Sequence, residues 1–130
     1  MANVLIVDDD FDIADASGEL LESVGHQIRI GHTDEEGLAS LFEAPLPDCV
    51  VLDVDMPVLN GPGMAHQMLL NEAGDEKIPI VLVSARPDLS QVAARMRTPY
   101  FLAKAAKDYG KTLLRLLDRA LRERRPLAHA

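Results

Sequence analysis

The chain has 130 residues, with 21 acidic side chains against 13 basic ones and a formal net charge of −8. That length fits one domain, and the charge argues against direct nucleic-acid binding, because phosphate backbones reward clustered Lys and Arg. The single cysteine, Cys49, rules out an internal disulfide; its neighbours Val50 and Val51 point to a buried structural thiol. The start lacks the basic stretch of a signal peptide, and no apolar run approaches the ~18 residues of a membrane span. The expectation is a cytoplasmic protein with no membrane partner.

Apolar runs and helical patterns alternate along the chain. Val4–Val7 is a continuous apolar run, expected as a strand buried on both faces. Ile13, Ala16, Leu20, Leu21 and Val24 recur at helical spacing, and Gly25 marks a stop. Gln27–Ile30 reads as a weaker strand. Asp34 is the N-cap candidate of a second helix carrying Leu38, Leu41 and Phe42, closed by Pro45 and Pro47. Cys49–Leu52 is another buried strand. A third helix, with Met64, Met68 and Leu69, is expected after Gly61 and ends near Gly74. Ile80–Val83 is the fourth strand. Pro87 or Asp88 opens a short helix with Leu89, Val92, Ala93 and Met96, ended by Pro99. Tyr100–Ala103 is a last strand, and Leu113, Leu114, Leu117 and Leu121 mark a long amphipathic C-terminal helix. Five strand–helix units in strict alternation predict a single doubly wound α/β domain on a five-stranded parallel sheet. The domain is expected over residues 1–125, with a tail at 126–130.

In open parallel sheets, ligands bind outside the carboxyl ends of the strands. Here those ends carry Asp8, Asp9 and Asp10 after the first strand, and Asp53 and Asp55 after the third. Ser84 follows the fourth and Lys104 the fifth. Helix capping accounts for some of these one at a time: Asp9, Asp10 or Asp12 could cap the first helix, and Ser84 could sit in a turn. It accounts poorly for all four strand ends together. Carboxylates crowded at one edge repel, so they call for a hard divalent cation such as Mg²⁺ or take up protons. With Lys104 added, such an edge can hold a dianionic phosphoryl group.

These segments resemble the receiver domains of response regulators. Val4-Leu-Ile-Val-Asp-Asp-Asp10 is similar to the family's first strand and acidic pair. Val50 to Gly61, with Asp53, Met56-Pro57 and Gly61 at their offsets, is similar to its phosphoacceptor segment. Val81-Leu-Val-Ser-Ala85 and Phe101-Leu-Ala-Lys104 match the strand-four hydroxyl and strand-five lysine motifs. The resemblance implies a flavodoxin-like strand order 2-1-3-4-5 and phosphorylation of Asp53 by a sensor histidine kinase or phosphotransfer protein. It further implies Mg²⁺ held by Asp8, Asp9, Asp53 and the backbone carbonyl of Asp55, with Ser84 and Lys104 as catalytic groups. Ser84 and Phe101 would form the switch that alters the surface offered to a downstream effector. Ala105 stands where the family usually has a proline, which predicts another path for the chain after Lys104. Asp55 and Arg86 lie on neighbouring strand ends with opposite charge and are expected to pair across the mouth.

Other features read as structural. His26, His32, His66 and His129 have no metal-ligand spacing, and Met56, Met64, Met68 and Met96 read as core filler. Lys111, Arg115, Asp118 and Arg122 share a stripe of the last helix, either as a solvated face or as a partner or homodimer surface. Two rival functions differ in chemistry. A haloacid-dehalogenase-like phosphatase would use Asp53-Val-Asp55 as nucleophile and acid/base, but Pro57 stands where its threonine belongs and no acidic pair follows Lys104. A receiver acting without phosphate would not need the intact set of Asp8, Asp9, Asp53, Ser84 and Lys104. The expected activity is therefore signalling, limited to self-phosphorylation and slow autodephosphorylation, and not turnover of an external substrate.

Overall fold

A computed structural model describes residues 2–54 and 78–123. The described strands are β1 (Asn3–Val7), β2 (Gln27–Gly31), β3 (Cys49–Asp53), β4 (Ile80–Ser84) and β5 (Phe101–Ala103). The described helices are α1 (Phe11–Ser23), α2 (Asp34–Leu41), α3 (Leu89–Arg95) and α4 (Tyr109–Glu123). The strands form one parallel sheet in the order β2-β1-β3-β4-β5. The helix expected around Met64–Leu69 lies outside the described residues, as do His66, His129 and the tail.

Period-two alternation divides the sheet between two cores. Val4, Ile6, Cys49, Val51, Val81, Val83 and Leu102 face α1 and α4, meeting Ala14, Leu21, Leu113, Leu117 and Ala120. Leu5, Val7, Val50, Leu52, Ile80 and Leu82 face α2 and α3, meeting Leu41, Leu89 and Ala93. Every residue of β3 and β4 is buried, which is why these strands read as unbroken apolar runs. Cys49 is a buried free thiol.

Two local expectations are corrected. Thr33, not Asp34, caps α2: its backbone is extended and its hydroxyl accepts from the Glu36 N–H at 3.0 Å. Asp34 is instead the first helical residue and is buried. Helix α1 buries Ala14, Ser17, Gly18 and Leu21, whereas Ala16 and Val24 of the expected stripe are exposed. Small residues let α1 lie close to the sheet, and the larger Ile13 and Leu20 turn sideways into a groove shared with Tyr109 and Gly110. The expected stop holds at Gly25, where φ of 101° suits a residue without Cβ. Close approach also explains Gly37, where a Cβ would come within 2.8 Å of Val7. Helix α3 has only seven residues, as expected for that segment.

Candidate functional site

The strand alternation carries through to the polar residues at the sheet's carboxyl edge. Asp8 continues the Val4/Ile6 parity, Asp53 continues Cys49/Val51, and Lys104 continues Leu102, so all three fall on the α1/α4 side. Ser84 and Phe101 have the opposite parity and fall on the α2/α3 side. Because β1 and β3 are neighbours in register, Asp8 and Asp53 converge without any special loop.

The convergence is tight. One carboxylate oxygen from each of Asp8, Asp9 and Asp53 lies within 4.8 Å of the other two. Lys104 Nζ donates to Asp53 Oδ2 at 3.0 Å and to Asp8 Oδ1 at 3.3 Å. Asp53 is 1% exposed and Asp8 3%. Asp9 is exposed as a residue, yet its carboxylate reaches the same cluster. Asp10 separates from the group: its side chain accepts from the Ile13 N–H and caps α1, while its own N–H donates to Asp8.

Electrostatics follow from this crowding. Burial raises the Asp9 pKa, the negative charge of Asp53 and a hydrogen bond with it raise it further, and Lys104 pulls the other way. For Lys104, burial opposes the charge, but the hydrogen bond and attraction from Asp53, with Asp8 behind them, win and raise its pKa. Among the described residues of the cluster, three carboxylates face one ammonium, an excess of two negative charges. Such a set fits a hard divalent cation: the donors are all carboxylate oxygen, as Mg²⁺ prefers, and an open side at Asp9 leaves room for metal-bound water.

The remaining site residues lie at the ends of the neighbouring strands β4 and β5. Ser84 is fully buried, and its hydroxyl accepts from the Arg86 N–H at 2.9 Å. Lys104 N–H donates to the Ser84 carbonyl at 2.9 Å, tying the ends of β4 and β5 together. The Lys104–Ala105 peptide is trans. Phe101 pairs with Leu82 in the sheet and is 40% exposed. Asp55 lies outside the described residues, and with it one partner of the expected Asp55–Arg86 pair; within them, the Arg86 guanidinium grips both carboxylate oxygens of Asp88 at 2.9 Å.

Sequence reasoning missed the wall beside Asp8. His32 stacks on Phe11 with ring centroids 3.6 Å apart, and its Nδ1 lies 3.0 Å from the Asp8 carbonyl. The available signal was Phe11 itself, a large apolar residue off the buried stripe of its helix. His26, by contrast, is structural as expected, its Nδ1 accepting from the Ala2 N–H at 3.1 Å.

A doubly wound sheet whose carboxyl edge gathers buried aspartates and a lysine defines a class of acidic-pocket α/β modules. Residues 4–110 match the family model of the response regulator receiver domain, and the chain belongs to that family. Over 125 residues it is 33% identical to the phosphoglycerate transport system transcriptional regulatory protein PgtA of Salmonella typhimurium, covering 95% of this chain and 29% of that protein. It is likewise 33% identical over 91 residues to the response regulator MprA of Mycobacterium avium, 70% of this chain and 38% of that one. The chain thus spans about a third of the length of the curated relatives it matches. Among solved structures, a response regulator receiver protein from Burkholderia phymatum superposes with a TM-score of 0.78 at 27% identity, covering 98% of this chain and all of that one. A CheY-like receiver domain from Methanospirillum hungatei, 24% identical with a TM-score of 0.72 and 95% of each chain covered, shares the fold.

Proposed function

We propose that this chain is the phosphoacceptor of a two-component or phosphorelay system and takes a phosphoryl group onto Asp53. The carrying observation is the meeting of Asp8, Asp9 and Asp53 carboxylates with Lys104 Nζ, 3.0 Å from Asp53, in one largely buried pocket. A carboxylate oxygen of Asp53 attacks phosphorus, the P–N bond of a kinase phosphohistidine breaks, and its electron pair stays on the imidazole. Asp8 and Asp9 would hold Mg²⁺ together with Asp53 and the Asp55 carbonyl; when bound, the ion neutralises charge on the transferring group. Lys104 sits where it can pair with the phosphoryl oxygens that replace part of its contact with Asp53.

Ser84 and Phe101 are the switch in this reading. Once phosphate is present, the Ser84 hydroxyl turns to a phosphoryl oxygen and Phe101 moves from its half-exposed position toward the space vacated, changing the α3–β5 surface. The receiver unit would run over residues 1–125, because α4 continues to Glu123 and packs Leu113 and Leu117 into the core. The partners would be a sensor histidine kinase or phosphotransfer protein upstream and an effector downstream, in the cytoplasm. The much longer relatives, named as regulators, support the latter. Net charge speaks against nucleic acid as a direct ligand. Among the described residues, no helix is long and apolar enough to cross a membrane. The basic stripe of α4 would serve a partner or a homodimer. Turnover would be confined to this one group and its slow hydrolysis.

The test is intact-mass measurement after acetyl phosphate treatment with and without Mg²⁺. A single base-labile phosphoryl adduct that requires Mg²⁺ and is lost in Asp53→Asn is the expected result. An adduct that survives Asp53→Asn, or sustained hydrolysis of a phosphate monoester, would overturn the reading.

A further inference from the structure

On the far side of α1 from the acidic pocket, a shallow cavity of about 330 Å³ runs between that helix and the edge strand β2. Its apolar floor is Ile28 and Ile30, both only half-buried. Gly18 opens it: a Cβ there would lie 3.3 Å from Ile30 and 3.5 Å from Ile28. Its rim is Asp15, Glu19 and Glu22, at helix positions i, i+4 and i+7, hence one stripe about 10 Å long.

This stripe does nothing for the helix that carries it. Like charges three and four residues apart repel, and acidic groups in the last half of a helix oppose its dipole. No basic residue stands in the last turn of α1. Among the described residues, none of the three carboxylates enters an ion pair. Arg29, the nearest cation along β2, is turned away and donates to the carbonyls of Glu43 and Pro45.

We propose that the α1–β2 groove is a docking surface for a cationic amphipathic helix of a partner protein. Lys or Arg at i, i+4 and i+7 of that helix would meet Asp15, Glu19 and Glu22, while an adjacent apolar stripe covers Ile28 and Ile30. A second copy fits less well: two cations of its α4 are already matched, Arg122 to Asp118 and Arg119 to Glu123.

The probe is a synthetic amphipathic peptide with three Lys on one helical stripe and Leu beside them, compared with a scrambled peptide of the same composition. Peptide binding should shift the amide resonances of Gly18, Ile28 and Ile30. The combined isosteric variant Asp15→Asn, Glu19→Gln, Glu22→Gln should weaken binding about tenfold, as three screened ion pairs together imply. It should leave Mg²⁺-dependent phosphorylation of Asp53 unchanged, so failure here is separable from failure of the phosphoacceptor reading. Equal binding of both peptides, shifts centred on Asp8 and Asp53, or self-association that the variant abolishes would each overturn the proposal.

Discussion

The two ends of the sheet treat polar groups in opposite ways. At the amino ends of the strands polar groups meet matched partners. The Asn3 N–H donates to Asp48 at 2.9 Å, the Thr98 hydroxyl to the Ile80 carbonyl at 2.6 Å, and the Tyr100 hydroxyl to Glu123 at 2.7 Å. Arg119 lies over the Tyr100 ring, 5.1 Å from its centre, and also reaches Glu123. At the carboxyl ends, three clustered carboxylates share one lysine. The first end closes the fold by satisfying its own groups; the second gathers, among the described residues, more carboxylates than cations, an excess that a bound ion can balance. Stability and chemistry are therefore separable along the same five strands.

Removing Lys104 should strain this division most. Lys104→Met leaves the buried carboxylates facing one another, and the metal-free protein should lose about 2–4 kcal/mol in urea unfolding. Phosphorylation should slow at least ~100-fold, because an electrostatic contact to the transferring group is gone. Saturating Mg²⁺ should restore much of the stability but not the rate. A metal-free variant as stable as the parent would show that the carboxyl edge carries no uncompensated charge.

Metal binding comes next in size. At a hundredfold excess over its Kd, Mg²⁺ should add about 2.7 kcal/mol, read as a rise in Tm, and Asp9→Asn should remove most of that gain. The pH trends should oppose each other. With its pKa raised in the native state, Asp9 binds a proton more tightly folded than unfolded. Metal-free stability therefore falls as pH rises from about 3.8 through the raised value. With Mg²⁺ present, the proton competes with the ion, and the gain from metal grows over the same window.

The closed end should respond without touching the chemistry. Tyr100→Phe removes a hydrogen bond to a charged acceptor and should cost about 1–2 kcal/mol, with phosphorylation unchanged. Burial first, and then Glu123, push the Tyr100 hydroxyl up to about 12 from 10. The native state thus holds this proton more tightly, and stability should fall between pH 10 and pH 12 in the parent but stay flatter in Tyr100→Phe. Parallel alkaline losses in the two proteins would place the sensitivity elsewhere.

Legibility in the sequence followed the same division. The strands were readable because burial on both faces demands unbroken runs such as Cys49–Leu52 and Ile80–Val83. The pocket was readable because strand ends in a doubly wound sheet are forced together, so Asp8, Asp53 and Lys104 needed only their positions after each run. The closed end was not readable. Tyr100 meets Glu123 across 23 residues, and nothing in local spacing marks such a pair. The buried face of α1 also escaped, because Ala14, Ser17 and Gly18 are chosen for close approach and not for hydrophobicity. The α2 cap was misplaced by one residue because Thr33 and Asp34 are both good caps, and only the extended backbone of Thr33 decides between them.

That cap supplies the smallest test, and it lies on the carboxyl side where the two roles meet. Thr33 accepts from Glu36 N–H at 3.0 Å, and Glu36 in turn accepts from the His32 N–H at 2.7 Å. Since His32 stacks on Phe11 and contacts the Asp8 carbonyl, the capping bonds also hold one wall of the pocket. Thr33→Ala should cost about 1 kcal/mol, Thr33→Ser should recover most of it, and the phosphorylation rate should stay within about twofold, less than a 1 kcal/mol change in barrier. A slowing well beyond that, rescued by Ser, would mean that the wall positions Asp8 for metal binding and that stability and chemistry are coupled at this corner.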